Sequence, residues 1–460
     1  TMEPRKARLT EGPVGRHLVD MTVPVLLGIT MMMAQSFIDA WFLGRVGDRA
    51  LAAYGFAFPI LMIVTSVAIG LSAGTSSVVA RAIGAGDDKR ARRLSTDSLL
   101  LSLAITAVVC LVGVLTIDPL FRLLGAPEDM LPLIRGFMLI LYAGIPVLVV
   151  GMVGMASMRA TGDTRLPSKL MVAGAILNVA LDPIFIFGLG PVPALGLNGA
   201  AVAALLARGI VAVGAFFLLR NRLDLLAFEK PRPGELRQSW RDILHVGAPA
   251  AGTNVIVPVA TAIITAMIAS YGPDAVAGYG VAGRVESLVL VMFYALSAII
   301  GPFVGQNLSA GKHDRMLEAL KLCSIFCVVS GLVIAAVLAT LAGFLPTLFS
   351  DNPEVIRVTR LYLWLAPLGY GTYGMVMVMN AAFNGIGQPL PGVVISLTRT
   401  LFLYVPLALV AKQWFGIPGI FATYTVANVA TGIGAYLWAR KRILETSAQK
   451  PAPAVPTPLS

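Results

Sequence analysis

The sequence predicts an all-α polytopic membrane protein, with twelve transmembrane helices in two pseudo-symmetric six-helix lobes. Three observations predict it: the composition, twelve apolar runs of spanning length, and a repeat that lays the second half of the chain on the first. Hydrophobic residues make up 57% of 460 and charged residues 13%, against about 45–50% and about 25% in soluble domains. The mean hydropathy is +0.82.

In chain order the runs fall at 18–43, 51–80, 94–116, 131–155, 169–188 and 196–218, then at 244–270, 276–305, 317–342, 357–384, 390–411 and 416–439. Each is near or above the roughly 20 residues that cross the hydrocarbon core as a helix. Residues 1–17 form an N-terminal segment ahead of the first run, and Thr1-Met2 is read as an addition before the native start. No cleavable signal is expected, because the first run is too long and lacks a small-residue cleavage site after it. Residues 18–218 make the first lobe, 219–243 a polar inter-lobe linker and 244–439 the second lobe. Residues 440–460 are a tail whose Pro-Ala-Pro-Ala-Val-Pro-Thr-Pro stretch is expected to be disordered.

The net charge of +11 reflects topology rather than nucleic-acid binding. Twenty-five of the 35 lysines and arginines fall on one set of alternate loops and six on the other. Excess Lys and Arg marks the cytoplasmic side, so both termini are expected in the cytoplasm and the chain in the inner membrane. Cys110, Cys323 and Cys327 and three scattered histidines form no metal-site or disulfide pattern. Cys323 and Cys327 read as small buried thiols.

A shift of 225 carries Pro24 onto Pro249, Gly47 onto Gly272 and Ala-Ala-Tyr-Gly-Phe-Ala (52–57) onto Ala-Gly-Tyr-Gly-Val-Ala (277–282). It also carries Ala-Gly-Asp-Asp-Lys-Arg (85–90) onto Ala-Gly-Lys-His-Asp-Arg (310–315), and Gly162 onto Gly387. Six spans per copy give both copies the same orientation. Parallel repeats of this kind place a site between lobes that rock against each other.

The chemistry concentrates in the fifth run, Lys169–Gly188. Asn178 and Asp182 are four apart and share a helix face, and Pro183 interrupts the hydrogen-bond ladder beside them. A mid-membrane Asp costs roughly 2.5–3.5 kcal/mol on insertion scales and is kept where it works. Asp39 in the first run is the other deep acid. The repeat places Ile264 opposite Asp39 and Val405–Pro406 opposite Asp182. Carboxylates present in one copy only point to a task specific to the first lobe.

These motifs resemble the multidrug and toxic compound extrusion (MATE) family. They are Asp39-x-x-Phe-Leu-Gly-x-x-Gly, Ala-Arg-x-Ile-Gly-Ala-Gly-Asp (80–87), and Arg159-Ala-Thr-Gly-Asp-Thr-Arg-x-Pro leading to Asn178 and Asp182-Pro-Ile-Phe-Ile-Phe-Gly. In the second half they are Tyr279-Gly…Arg284-Val-Glu-Ser-Leu and Gly305-Gln-Asn-x-x-Ala-Gly. The NorM-like branch carries acids in spans seven and ten; here Val257 takes the span-seven place and span ten has none after Glu354. The paired acids resemble the DinF-like branch instead.

That resemblance implies a cation-coupled exporter of amphipathic, often cationic organic compounds, with Asp39, Asn178 and Asp182 as the coupling site. Branch members proposed to bind sodium add a Thr in span six, where this chain reads Gly199-Ala-Ala-Val-Ala-Ala204. The missing hydroxyl favours protons over sodium, and the acid pair is expected to titrate as one unit. Phe137 stands near a position where the branch often has Tyr. Pro24 is the expected hinge of the first span. Met31, Met32, Phe37 and Trp41 are expected to contact cargo through polarizable and aromatic surface, with Phe137, Asn254 and Arg284 as further candidates. Glu286 and Arg284 are expected to belong to a structural network in the second lobe.

A lipid-linked precursor flippase of the same superfamily would favour a cationic cavity, whereas this chain puts acids in the first lobe. A membrane hydrolase would need a Ser/His or metal cluster that three isolated histidines do not supply. The expected partners are small organic substrates and the bilayer, with no cofactor beyond the coupling ion and a monomeric chain.

Overall fold

In the computed structural model, which describes residues 6–449, the chain is helical nearly throughout, with no strand among the described residues. The first six crossings are α1 (Val14–Val46), α2 (Asp48–Gly84), α3 (Asp88–Leu115), α5 (Leu131–Ala160), α6 (Arg165–Pro183) and α7 (Leu197–Asn221). A short α4 (Ile117–Leu123) lies between the third and fourth, and a π-turn, Ile184–Gly188, extends α6. The second set begins with α8 (Pro233–Ala269), followed by α9 (Pro273–Val289) and α10 (Val291–Ser309) as one broken crossing, then α11 (His313–Leu341). The tenth crossing is α12 (Pro353–Leu365), a 3-10 turn at Ala366–Gly369 and α13 (Tyr370–Ile386). The eleventh is α14 (Leu390–Leu397), a π-turn at Thr398–Tyr404 and α15 (Val405–Phe415); α16 (Ile417–Ala448) is the twelfth. Eleven of these rods are individually long and apolar enough to span. The tenth crossing, α12 with α13, is not among them.

The repeat is visible in the backbone. Gly86 and Gly311 sit at φ 76° and 74°, and Gly162 and Gly387 at 91° and 82°. These are left-handed positions that only glycine adopts freely. The fifth and eleventh crossings each contain a π-turn, though at different depths along the repeat.

Two expected boundaries shift. The 219–243 linker shrinks to the stretch between Asn221 and Pro233. Pro233 serves as a helix start, and the first turns of α8 dock on α3 through Trp240, whose Nε1 donates to Asp97 O at 3.0 Å. The last helix runs to Ala448 rather than 439, because Glu445 stands one turn from Lys441 and Arg442, at 3.9 and 3.8 Å. The Pro-rich stretch 450–460 lies outside the described residues. Cys323 and Cys327 are buried and unpaired, as expected.

The two sets of crossings form separate apolar cores, with an informative exchange. Leu18, Met21 and Val25 of α1 belong to the second lobe's core, whereas Leu43 of the same helix belongs to the first lobe's. Ile243 of α8 crosses the other way. The lobes approach closely where glycines allow it: Gly70 and Gly74 of α2 lie against Gly247 and Ile243 of α8. The Lys/Arg-rich ends are tied as well, since Ser77 Oγ donates to Asn384 O at 2.5 Å.

A strap reinforces this closure. The turn Arg8–Thr10 buries Leu9 against Gly162 of the first lobe. Leu9 N donates to Gln306 Oε1 (3.2 Å), and Asn307 Nδ2 and Arg315 donate to Leu9 O at 3.1 and 2.9 Å. Gln306 Nε2 in turn donates to Ala160 O at 2.7 Å. One N-terminal turn thus joins both lobes at their basic ends.

Candidate functional site

The first-lobe site forms where α1 packs along α6. Gly28 makes the approach close, since a Cβ there would lie 3.1 Å from Met171 Sδ. Further along the same pair of helices, Asn178 Nδ2 donates to Asp39 Oδ1 at 3.1 Å and to Asp182 Oδ2 at 3.2 Å. One carboxamide therefore bridges two carboxylates that are 143 positions apart in the chain. Asn178 is 2% and Asp182 0% exposed, and Asp39 is half-buried. Asp182 Oδ1 is buried without a hydrogen-bond partner, an arrangement that native interiors rarely tolerate outside a working site. Pro183 ends α6, and its missing N–H removes one backbone hydrogen bond beside the pair.

Three further residues complete the site and were missed in the sequence. Gln35 Nε2 donates to Asp39 Oδ2 at 3.3 Å. Tyr54 of α2 interacts electrostatically with both Asp39 and Asp182, and Arg208 of α7 with Asp39 and Tyr54. The signals were present: Gln35 is one turn before Asp39, and Arg208 one turn after Ala204 on a helix otherwise free of charge until Arg220. Phe137 meets the ring of Tyr54 edge-on at 6.2 Å between centroids, so a tyrosine reaches this corner from α2 instead of from the fourth crossing.

The expected cargo contacts divide. Met32 lies seven residues before Asp39, on its face of α1, and is exposed; Met31 is partly buried. Phe37 and Trp41 stand two positions either side of Asp39, which turns them to the opposite face of the helix, 51% and 55% exposed. Phe137, at 2% exposed, is core and not a contact surface in this state. Asn254 spends its amide on Ala250 O of its own helix, at 2.8 Å. Arg284 is exposed and lines a cavity in the second lobe. Pro24 sits inside an unbroken α1, near the point where that helix passes from one lobe's core to the other's.

The second lobe also holds a partly buried acid, at a position that the repeat comparison did not cover. Glu286 accepts hydrogen bonds from Tyr362, from Tyr424 (3.0 Å) and from Tyr370 (3.4 Å). It borders a cavity of about 440 Å³ that also holds Arg399, stacked 4.1 Å over Tyr373. Glu286 thus sits in a hydrogen-bonded network, as expected, while Arg284 is exposed and forms no ion pair among the described residues. Glu286→Ala would strand three tyrosine hydroxyls and is expected to destabilise the protein by about 3–5 kcal/mol. Glu286→Gln, which keeps an acceptor, should recover part of that in thermal unfolding of the purified protein.

Two repeated six-helix lobes with a bridged acid pair inside the first define a secondary membrane transporter. The chain belongs to the MatE family of multidrug and toxic compound extrusion transporters, whose model matches residues 24–184 and 249–410, one copy in each lobe. It is 38% identical to the FAD transporter of Shewanella oneidensis over 94% of this chain and 96% of that one. It is 27% identical to the probable multidrug resistance protein YpnP of Bacillus subtilis, over 94% and 96%. The bent form of the Vibrio cholerae MATE transporter VcmN superposes with a TM-score of 0.90 at 30% identity, covering 94% of this chain and 98% of that one. These relatives are transporters, not enzymes.

Proposed function

We propose that this chain is a proton-coupled exporter of the DinF-like branch, working as a monomer in the cytoplasmic membrane with both termini inside. The observation that carries the reading is the Asn178 bridge between Asp39 and Asp182. Two carboxylates held by one amide in a buried site cannot both stay charged cheaply, so one proton entering from outside relieves the pair. Arg208 beside Asp39 and Ala204 in place of a hydroxyl both disfavour a bound sodium ion. Because the inner half of α1 belongs to the opposite lobe's core, protonation that loosens the outer half bends the helix near Pro24. Coupling then follows from unequal proton affinity in the two states.

For the cargo, the 38% identity to a protein named FAD transporter supports a flavin dinucleotide. An exposed Arg284 and a tyrosine-lined cavity offer a cation for phosphate and ring faces for an isoalloxazine. Cationic drugs are the second reading, supported by the name of the Bacillus relative and by the acid pair. Proteoliposomes with a pH gradient decide between them. FAD movement on the order of 10-fold above protein-free vesicles is expected, unaffected by excess ethidium. Ethidium movement without FAD movement would replace this reading with the second.

A further inference from the structure

A second cavity of about 440 Å³ opens at the basic face of the first lobe, away from both acid sites. Arg8 from the strap, Arg165 and Lys169 from the start of α6, and Arg222 from the end of α7 all line it. All four are exposed, and none makes an ion pair among the described residues. The two acids at the cavity are engaged elsewhere. Asp20 faces Arg16 at 3.7 Å, and Asp163 Oδ1 accepts from the backbone N of Arg165 and Leu166 at 3.0 and 3.2 Å.

We propose that this pocket binds a phosphate-bearing anion, the headgroup of an anionic lipid in the adjoining leaflet or a soluble phosphate. Four unpaired cations from three separated chain segments converge on one concavity whose volume falls in the range of ligand sites. Against the two carboxylates in the same lining, Asp20 and Asp163, the four cations leave a positive excess that draws anions to the concavity. The pocket lies where the charge bias puts the cytoplasmic leaflet, and basic pockets between spans at that depth suit lipid headgroups. Because Arg8 opens the turn that ties the lobes, a headgroup held between Arg8 and Lys169 also pins the strap to the first lobe. Occupancy thus favours the state closed at its basic face.

The test uses the full chain in a neutral detergent and reads its melting temperature. Phosphatidylglycerol is expected to raise it by about 3–5 °C, and phosphatidylcholine at equal concentration to leave it unchanged. The triple variant Arg165→Gln, Lys169→Gln, Arg222→Gln should lose most of that shift. A charge-matched triple on the α7–α8 connection and α8, Lys230→Gln, Arg237→Gln, Arg241→Gln, should keep it. If inorganic phosphate reproduces the pocket-dependent shift and phosphatidylglycerol does not, the anion is a soluble phosphate. Equal shifts in the pocket variant and in the wild type, or no shift from either anion, overturn the site.

Discussion

Asp182→Asn is expected to lower gradient-driven cargo movement by on the order of 100-fold, the scale of a lost coupling free energy, while the protein stays folded. The asparagine keeps the size of the side chain and an oxygen facing Asn178 Nδ2, now at 3.2 Å from Asp182 Oδ2. It removes the only group at that position that can exchange a proton. Removing a buried charge relieves desolvation, so the melting temperature should hold or rise. Asp39→Asn should behave alike, since the same Asn178 nitrogen holds Asp39 Oδ1 at 3.1 Å. The readout is flux and melting temperature on the same preparation. Lost flux with a large drop in melting temperature would mean that the acids serve folding instead of coupling.

Gly74→Leu is expected to have the largest effect on stability. A Cβ at Gly74 would lie 2.4 Å from the carbonyl oxygen of Ile243 and 3.1 Å from Gly247 N. Both are backbone atoms of α8, so no rotamer relieves the contact and the two lobes must part. Overpacking usually costs about 1–3 kcal/mol; a clash with backbone where Gly70 and Gly74 bring α2 against α8 should exceed that range. Gly55→Leu on the same helix is the control. Nothing lies within 4 Å of a Cβ there, and replacing a helical glycine should gain about 1 kcal/mol. Thermal unfolding of the two variants in detergent makes the comparison. Similar melting temperatures would show that the crossing is looser than the geometry requires.

Much of this architecture could be read from the sequence because a bilayer leaves few choices. Apolar runs must be helices, and the matched glycines at 86/311 and 162/387 show directly in the chain. Asp39, Asn178 and Asp182 were legible because charge is conspicuous among apolar neighbours and because a four-residue spacing fixes a helix face. What stayed hidden was contact between helices. No spacing in the sequence links Tyr54 or Arg208 to Asp39. The same limit applied to Glu286: its tyrosine partners come from α12, α13 and α16, and the repeat comparison looked only opposite Asp39 and Asp182, where the second copy has no acid. The orientation of Phe37 and Trp41 away from Asp39 was available from helical geometry alone.

The central claim is that the Asp39–Asn178–Asp182 cluster exchanges a proton as the lobes alternate. The direct measurement is proton release from purified, unbuffered protein on adding cargo, followed with a pH-sensitive dye. The account predicts that wild type releases protons in proportion to cargo bound, that Asp39→Asn and Asp182→Asn release none, and that sodium at fixed pH does not replace the effect. Full release by both variants, or cargo movement driven by a sodium gradient with no proton released, would contradict it.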